Sequence, residues 1–403
     1  MSTSHDTTTT QRLRSELVAA IRNRGTFQTP AVEDAFARVP RHVFLPDVAP
    51  ETAYAPQVVV TKYAEDGSAL SSASHPNMVA AMLEQLDVRP GHRVLEVGTA
   101  TGINAALLRE LVGEEGRVTS VEIDEDLADG ARAALQAAGY PDVQVTCADG
   151  AAGHSDSAPY DRIIVTAGAW DIPAAWWHQL TPTGHVVVPL CLHDSGLTRC
   201  IAFDRTAPDH MVSASAMVCG FVPLRGTAES SGGSVALAED VTLNVAPGDG
   251  HDPHAVGQAL SYPAQAEWTG ITIDDTEQVE HLDLWLATTA AHFARLAVGP
   301  QARQSATVTP TLRWGGATLH DGAGTLAYLT LRPVTETTDE IGLVAHGPDS
   351  AAFTASTVEL LRRWRKEHPT QPAVTARPTG TPQDQPREAA RIARPDTTVT
   401  IAW

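Results

Sequence analysis

Apolar positions change rhythm twice along this chain. Leu13, Leu17 and Ile21 recur at helical spacing, and Val32, Phe36 and Val39 repeat the pattern until Pro40 ends it, so 12–46 reads as helices. Residues 47–75 form a long Gly/Ser-rich connection with one strand-like run, Val58-Val59-Val60. A loop of that length inside a domain is functional or disordered. A further helix runs from Pro76 to about Leu86 on Met78, Val79, Met82 and Leu83. Beyond it, short apolar runs alternate with helical stretches. Strands are predicted at Val94–Val97, Val118–Ile123, Val143–Cys147, Arg162–Val165 and Val186–Leu190, with helices at Ala105–Val112 and Leu127–Ala138. Such alternation means βαβ units and a mostly parallel sheet with helices on both faces. A last strand-like stretch, Ala216–Leu224, closes this unit.

The second change falls at 226–234, a Gly/Ser-rich stretch with the composition of a linker. After it come strand-like pieces near Val241–Val245 and Trp268–Ile273. A helix is then predicted to carry Val279, Leu282, Leu286, Phe293 and Leu296 on one face. Strands near Ala306–Trp314, Leu326–Leu331 and Ile341–Ala345, a helix near Ser356–Glu367 and an alternating run Thr397–Trp403 complete the chain, with 376–395 read as a loop. The expected class is α/β: a doubly wound, Rossmann-like unit over 12–225, a linker at 226–234, and a smaller α+β accessory unit over 235–403.

Composition narrows the functional classes. A chain of 403 residues suggests two or three domains, and 43% hydrophobic with 19% charged residues is ordinary for packed cores. The net charge of -20 repels phosphate backbones and anionic membrane surfaces, so neither nucleic acid nor membrane is expected as a partner. Cys147, Cys191, Cys200 and Cys219 form no C-x-x-C pair, which disfavours a disulfide scaffold and a structural zinc site. His251-Asp252-Pro253-His254 reads as a surface turn, and no metal is expected. No segment approaches a membrane span, and Met1–Gln11 is a Ser/Thr tract read as a frayed tail, with no signal-peptide pattern. The expected location is the cytoplasm.

The chemistry concentrates in Val94-Leu-Glu96-Val-Gly98-Thr-Ala-Thr-Gly102-Ile-Asn104, a strand running into a Gly-x-x-x-Gly turn that opens a helix. Glycine permits close backbone approach, and the helix N-terminus offers free amide donors. Glu96 precedes the first glycine, an acid that suits a cationic ligand and would repel a pyrophosphate. Glu122 ends the second strand, where an acid takes both hydroxyls of a ribose, and Asp149-Gly150 ends the third, where an acid accepts from an adenine amino group. Ribose, adenine and a positive centre together describe S-adenosylmethionine, with S-adenosylhomocysteine as its product.

Further motifs carry a resemblance. Val39-Pro-Arg-His-Val-Phe-Leu-Pro46, Ser74-His-Pro-Asn-Met-Val-Ala80, Asp149-Gly150, Tyr160-Asp-Arg-Ile-Ile-Val-Thr-Ala167, Ile172-Pro173, Gln179-Leu180 and Phe221-Val-Pro-Leu224 accompany the glycine turn. With these, residues 13–224 resemble the protein-L-isoaspartate (D-aspartate) O-methyltransferase family. The resemblance implies that Ser74 is the active-site serine beside the reacting carboxylate. It implies cofactor contacts at Glu96, Gly98, Gly102, Glu122 and Asp149, joined by their neighbours Thr99, Asn104, Ile123 and Gly150. On the substrate side Lys62, His75 and Thr166 are candidates; Lys62 is alternatively a solvated lysine and His75 a structural histidine. Trp170, Trp176 and Trp177 either line a peptide groove or belong to the core.

Two departures from the family pattern stand out: the divergent loop 58–72, and the added residues after 226. Both resemble an extended branch that methylates an aspartate in ribosomally made, modified peptides, the ester then closing to a succinimide. That branch is the reading drawn from the sequence, with repair of L-isoaspartyl residues in damaged proteins as the alternative and a non-catalytic cofactor-binding module as a third. An ionised carboxylate needs no general base to attack a methyl group, so the absence of a Ser-His-Asp arrangement does not weigh against activity.

Overall fold

Thr7 accepts a hydrogen bond from the amide of Thr10 and caps a helix at Thr8–Asn23. The expected frayed tail is therefore already helical over 8–11, while residues 1–6 lie outside those described. The computed structural model describes residues 7–65, 67–227, 232–274, 277, 281–312, 315–367, 371–382 and 389–403. Leu17, Val18 and Ile21 of this helix, with Val32 and Phe36 of the next (Pro30–Arg38), are buried in one cluster with Leu107, Leu108 and Leu111 of the helix Ile103–Val112. The long connection is a β-hairpin: Val59–Tyr63 (β1) pairs antiparallel with Ala69–Ala73 (β2).

The predicted βαβ strands are present as Arg93–Val97 (β3), Arg117–Glu122 (β4), Gln144–Cys147 (β5), Tyr160–Val165 (β6) and Leu180–His193 (β7). They run parallel in the order β5-β4-β3-β6-β7. β3 thus lies between the strand that follows it and a later one, so the crossovers diverge there and open a crevice at the strands' carboxyl ends. This is the Rossmann-like arrangement expected. Leu197–Ala207 (β8) and His210–Val218 (β9) then fold back antiparallel on β7. Of this meander the sequence reading held only Val186–Leu190 and a strand at 216–224; the last strand in fact ends at Val218.

In the second half, Gly233–Ala238 (β10), Val241–Val245 (β11), Gln265–Asp274 (β12), Phe293–Val298 (β13), Gly315–His320 (β14), Leu326–Pro333 (β15) and Thr338–His346 (β16) form a seven-stranded antiparallel sheet. The expected helix through Phe293 and Leu296 is confined to Leu282–Thr289. Phe293 and Leu296 instead sit on β13, whose backbone is claimed on both sides by β11 and β14. Val279 lies outside the described residues. So does Trp314, and Ala306 caps a short helix, Pro300–Ser305, where a strand was expected.

The chain then returns. After the helix Ser350–Glu367, strands Ala373–Pro378 (β17), Ala390–Ala393 (β18) and Thr397–Ala402 (β19) extend the first sheet, β17 pairing with β9. A division into 12–225 and 235–403 does not describe this topology, because the last strands complete the ten-stranded sheet. β18 also occupies part of the stretch read as a loop, of which 383–388 lie outside the described residues. One core serves both sheets: Trp285, Leu361, Trp364, Val399 and Ile401 cluster with Phe203, Trp176 and Trp177. Those two tryptophans are core, not groove.

Candidate active site

Gly98 turns the chain out of β3 with φ +99°, and a Cβ there would meet Thr166 Oγ1 at 2.6 Å, so only glycine fits. The Thr166 hydroxyl donates to the carbonyls of Val97 and Gly98, at 3.1 and 2.5 Å, locking the ends of β3 and β6 together. Gly102 follows at φ +88° as the N-cap of the helix Ile103–Val112. Ala100, between them, is left-handed at φ +47° without being glycine, a strained conformation. Its amide donates to Glu122 Oε2 at 2.9 Å, and the amide of Asp124 donates to Glu122 Oε1 at 3.2 Å.

Glu96 has a different place from that expected. It is wholly buried, and its carboxylate is taken by Asn104 Nδ2 at 2.7 Å and by the Ser120 hydroxyl. Ser120 in turn shares a hydrogen bond of 2.6 Å with Thr99. Burial pushes the Glu96 carboxyl up to about 7, the bonds from Ser120 and Asn104 acting against it. The acid therefore braces the glycine turn from beneath, held by Ser120 and Asn104 on a covered face of β3. That covering has no signal in the sequence, which offers the acid directly to the ligand.

Above the turn lies a cavity of about 280 Å³. Glu122, Ile123, Gly150 and Gly98 form its floor, the β1–β2 hairpin one wall, and Val222–Arg225 the other. A smaller hollow adjoins it, and Ser74, Gly98, Ala100, Thr166 and Phe221 line both. His75, also on the wall, caps the helix Pro76–Leu86 by accepting from Asn77 N at 3.1 Å, and burial lowers its pKa. Ser74 is thus not that helix's side-chain cap. Its carbonyl accepts from Arg41, whose buried guanidinium also reaches the Ala53 carbonyl at 2.7 Å. Burial lowers the Arg41 pKa to about 10, which leaves it charged at neutral pH. Sequence reading quoted Arg41 only as part of a motif; its position beside Ser74 is a product of tertiary packing.

Asp149 is also engaged, and it is not among the residues that line the cavity. Asp149 Oδ1 accepts from Ala151 N at 2.9 Å, and Oδ2 accepts from both the amide and the hydroxyl of Thr227, at 3.0 and 2.9 Å. Partial burial raises the Asp149 pKa, but these bonds outweigh it and hold the carboxyl below its usual value. Lys62 lies on Asp124, not in open solvent, and Arg225 reaches within 3.6 Å of the same carboxylate. Trp170 donates from its ring nitrogen to Asp194, at 2.8 Å, with Arg394 over its face.

A glycine turn after the central strand, acids at successive strand ends and a cavity at the switch point define the class of S-adenosylmethionine-dependent methyltransferases. The profile of the protein-L-isoaspartate(D-aspartate) O-methyltransferase family matches residues 11–229, and the chain belongs to that family. Similar proteins include the protein-L-isoaspartate O-methyltransferase of Methanopyrus kandleri, 39% identical over 217 residues, which is 54% of this chain and 92% of that protein. Another is protein-L-isoaspartate O-methyltransferase 2 of Archaeoglobus fulgidus, 40% identical over 195 residues, 48% of this chain and 85% of that protein. A solved structure titled protein-L-isoaspartate O-methyltransferase is 21% identical with a TM-score of 0.51, and the match covers 90% of this chain and 96% of that one. Its fold thus extends over most of the second half as well. The residues after 226 therefore have a fold counterpart in a protein of that title. The reaction class follows with the family: S-adenosylmethionine-dependent methylation of a protein carboxyl group. Among the described residues no helix is long and apolar enough to cross a membrane.

Proposed function

We propose that this protein methylates the carboxylate of L-isoaspartyl residues in proteins. The observation that carries this reading is the 39% identity to a protein-L-isoaspartate O-methyltransferase over 92% of its length, with a family match over 11–229 that includes the cavity residues. Methylation of an aspartate in a modified precursor peptide rested on two departures. One of them, the added second half, has a fold counterpart in a protein titled as an isoaspartyl enzyme. The β1–β2 hairpin remains as a distinctive wall.

The residues fit the cofactor. Gly98 and Gly150 keep the floor open: a Cβ on Gly150 would meet Val97 Cγ1 at 2.5 Å, and one on Gly98 would meet Thr166. On this reading Glu122, which lines the cavity, holds the ribose with Ile123 flanking the ring, and Asp149 takes the adenine amino group in exchange for its hydrogen bonds from Thr227. The cofactor, when bound, supplies a methyl group activated by a sulfonium. The substrate carboxylate, with an ordinary pKa near 3.9, is already ionised at neutral pH. The protein's task is to align it and exclude water, and such positioning is worth up to about 7–11 kcal/mol. Ser74 Oγ donates to the non-attacking carboxylate oxygen, and Arg41 holds the Ser74 backbone in place. Val58, Val60 and Leu224 shield the cleft. Glu96, Thr99, Gly102 and Asn104 position the turn; Thr166 joins the ends of β3 and β6.

In the methylated substrate, the neighbouring amide nitrogen attacks the ester carbonyl. A C–N bond forms, the C–O bond to methoxide breaks, and the amide proton leaves with it as methanol. The resulting succinimide needs no further group from the protein. Mass spectrometry of an isoaspartyl peptide incubated with protein and S-adenosylmethionine tests the assignment. A methyl ester that decays to succinimide is expected; an unmodified peptide alongside demonstrable cofactor binding would refute it.

A further inference from the structure

Three neighbouring strands of the second sheet bring metal-ligating side chains to one end. β11 finishes at Val245 and leads into the loop that carries Asp249; His292 immediately precedes β13; His320 ends β14. Because β13 is antiparallel to both neighbours, the end of β11, the start of β13 and the end of β14 coincide. The ligand atoms of Asp249, His292 and His320 all lie within 4.8 Å of one another. The two imidazole rings stack at 5.2 Å between centroids.

These atoms do not satisfy each other. Asp249 Oδ2, His292 Nδ1 and His320 Nε2 are all buried without a hydrogen-bond partner. Oδ2 and Nε2 stand 3.3 Å apart, yet without hydrogen-bond geometry. Buried polar atoms are ordinarily paired, and a convergence of three unpaired ones calls for a shared partner. A cation is the partner that three Lewis bases have in common.

We propose that Asp249, His292 and His320 form a binding site for one divalent transition-metal ion of the zinc class. Two imidazole nitrogens and one carboxylate oxygen, with no thiolate, suit zinc and its neighbours; calcium and magnesium prefer all-oxygen shells. At bond lengths of about 2.0–2.1 Å, a tetrahedral ion brings its ligand atoms to about 3.3 Å apart. A modest contraction of the observed triangle achieves this. His251 acts as the positioning residue. Its ring Nδ1 donates to Asp249 Oδ1, and its amide donates to the same oxygen at 3.1 Å, which leaves Oδ2 to face the histidines. The loop itself is pinned by Asp252 N donating to Gly322 O at 2.8 Å. A cleft of about 290 Å³, bounded by Phe353, Thr357 and Leu360, borders His292 and His320. Gly322 N donates to His320 Nδ1 at 3.2 Å; metal on Nε2 requires the ring proton on Nδ1, so this one hydrogen bond is given up on binding and the metal bond outweighs it. The ion would cross-link the 246–252 loop to the sheet. The expectation of no metal site came from adjacent histidines; His254 is indeed exposed, but His251 turns inward to partners from distant strands.

The test uses the full chain, stripped with a chelator and titrated with Zn²⁺ by calorimetry and with Co²⁺ by visible absorption. About one ion per chain is expected, with d–d bands of low-symmetry Co²⁺ and a raised melting temperature. His292→Ala, at a half-buried position, should weaken binding at least tenfold. His251→Ala should weaken it about 10–100-fold, as expected for a group that orients a ligand. His254→Ala should leave it unchanged. Should His292→Ala fail to fold by circular dichroism, His292→Asn replaces it. The absence of stoichiometric binding to the wild-type chain, or affinity that survives the His292 substitution in a folded protein, overturns the proposal.

Discussion

Lys62 Nζ donates to both carboxylate oxygens of Asp124, at 2.8 and 2.7 Å, tying the β1–β2 hairpin to the strand end that carries Glu122. Arg225 approaches the same carboxylate from the opposite wall. The hydrogen bonds from Lys62 are the largest of the influences that hold the Asp124 carboxyl below its usual pKa. The pair acts as a clasp across the cofactor cavity. Lys62→Met is expected to weaken S-adenosylmethionine binding by up to about fivefold, the range for a partly exposed pair, with the difference fading at high salt. Calorimetry at two ionic strengths checks this; equal affinities at both would show that the hairpin closes without the clasp.

Glu122 serves the turn and the ligand together, since it accepts from the amides of Ala100 and Asp124 as well as facing the cavity. Glu122→Ala should weaken cofactor binding about tenfold or more, the size expected for a lost charge-assisted hydrogen bond. Unchanged affinity would remove Glu122 from the cofactor site.

Glu96 gives a pH signature. Its folded pKa of about 7 is above the ordinary value of 4.5, so the folded state holds the proton more tightly than the unfolded chain. Stability from this group is therefore fully present below about pH 4.5 and is lost as pH rises through about 7. The amplitude is on the order of 3 kcal/mol. Glu96→Gln, which stays neutral, should flatten the fall in melting temperature of the ligand-free protein between pH 5 and 8, a window set by that shift. Parallel pH profiles for the two proteins would contradict the assignment.

Much of this site was legible in the sequence because βαβ order puts its parts in series. The glycine turn, Glu122 and Asp149 each close a strand, and the switch point brings those strand ends together. What was not legible depends on which faces are covered and on distant pairing. Glu96 reads as an acid facing a cationic ligand, and the closure of Ser120 and Asn104 over it is not visible in the sequence. Phe293 and Leu296 match helical spacing, yet they belong to a strand because β11 and β14 compete successfully for its backbone. The return of β17 to β9 has no local signal at all, and neither does the meeting of Asp249, His292 and His320.

Ser74 separates catalysis from structure. His75 already caps the following helix, so Ser74→Ala should leave the melting temperature and cofactor affinity close to wild type. Methyl transfer should slow about tenfold or more, the loss expected for one hydrogen bond to a charged group. Steady-state kinetics with calorimetry checks both halves; full activity in the variant would return Ser74 to a purely structural role.

Substrate choice is read most directly from a specificity ratio. One linear peptide is prepared twice, with L-isoaspartate or L-aspartate at the same position, and kcat/KM for methyl transfer from S-adenosylmethionine is measured for each. A strong preference for the isoaspartyl form is expected, at least about a hundredfold, the scale at which a site rejects a misplaced polar group. Equal rates, or a preference for the aspartyl form, would contradict it.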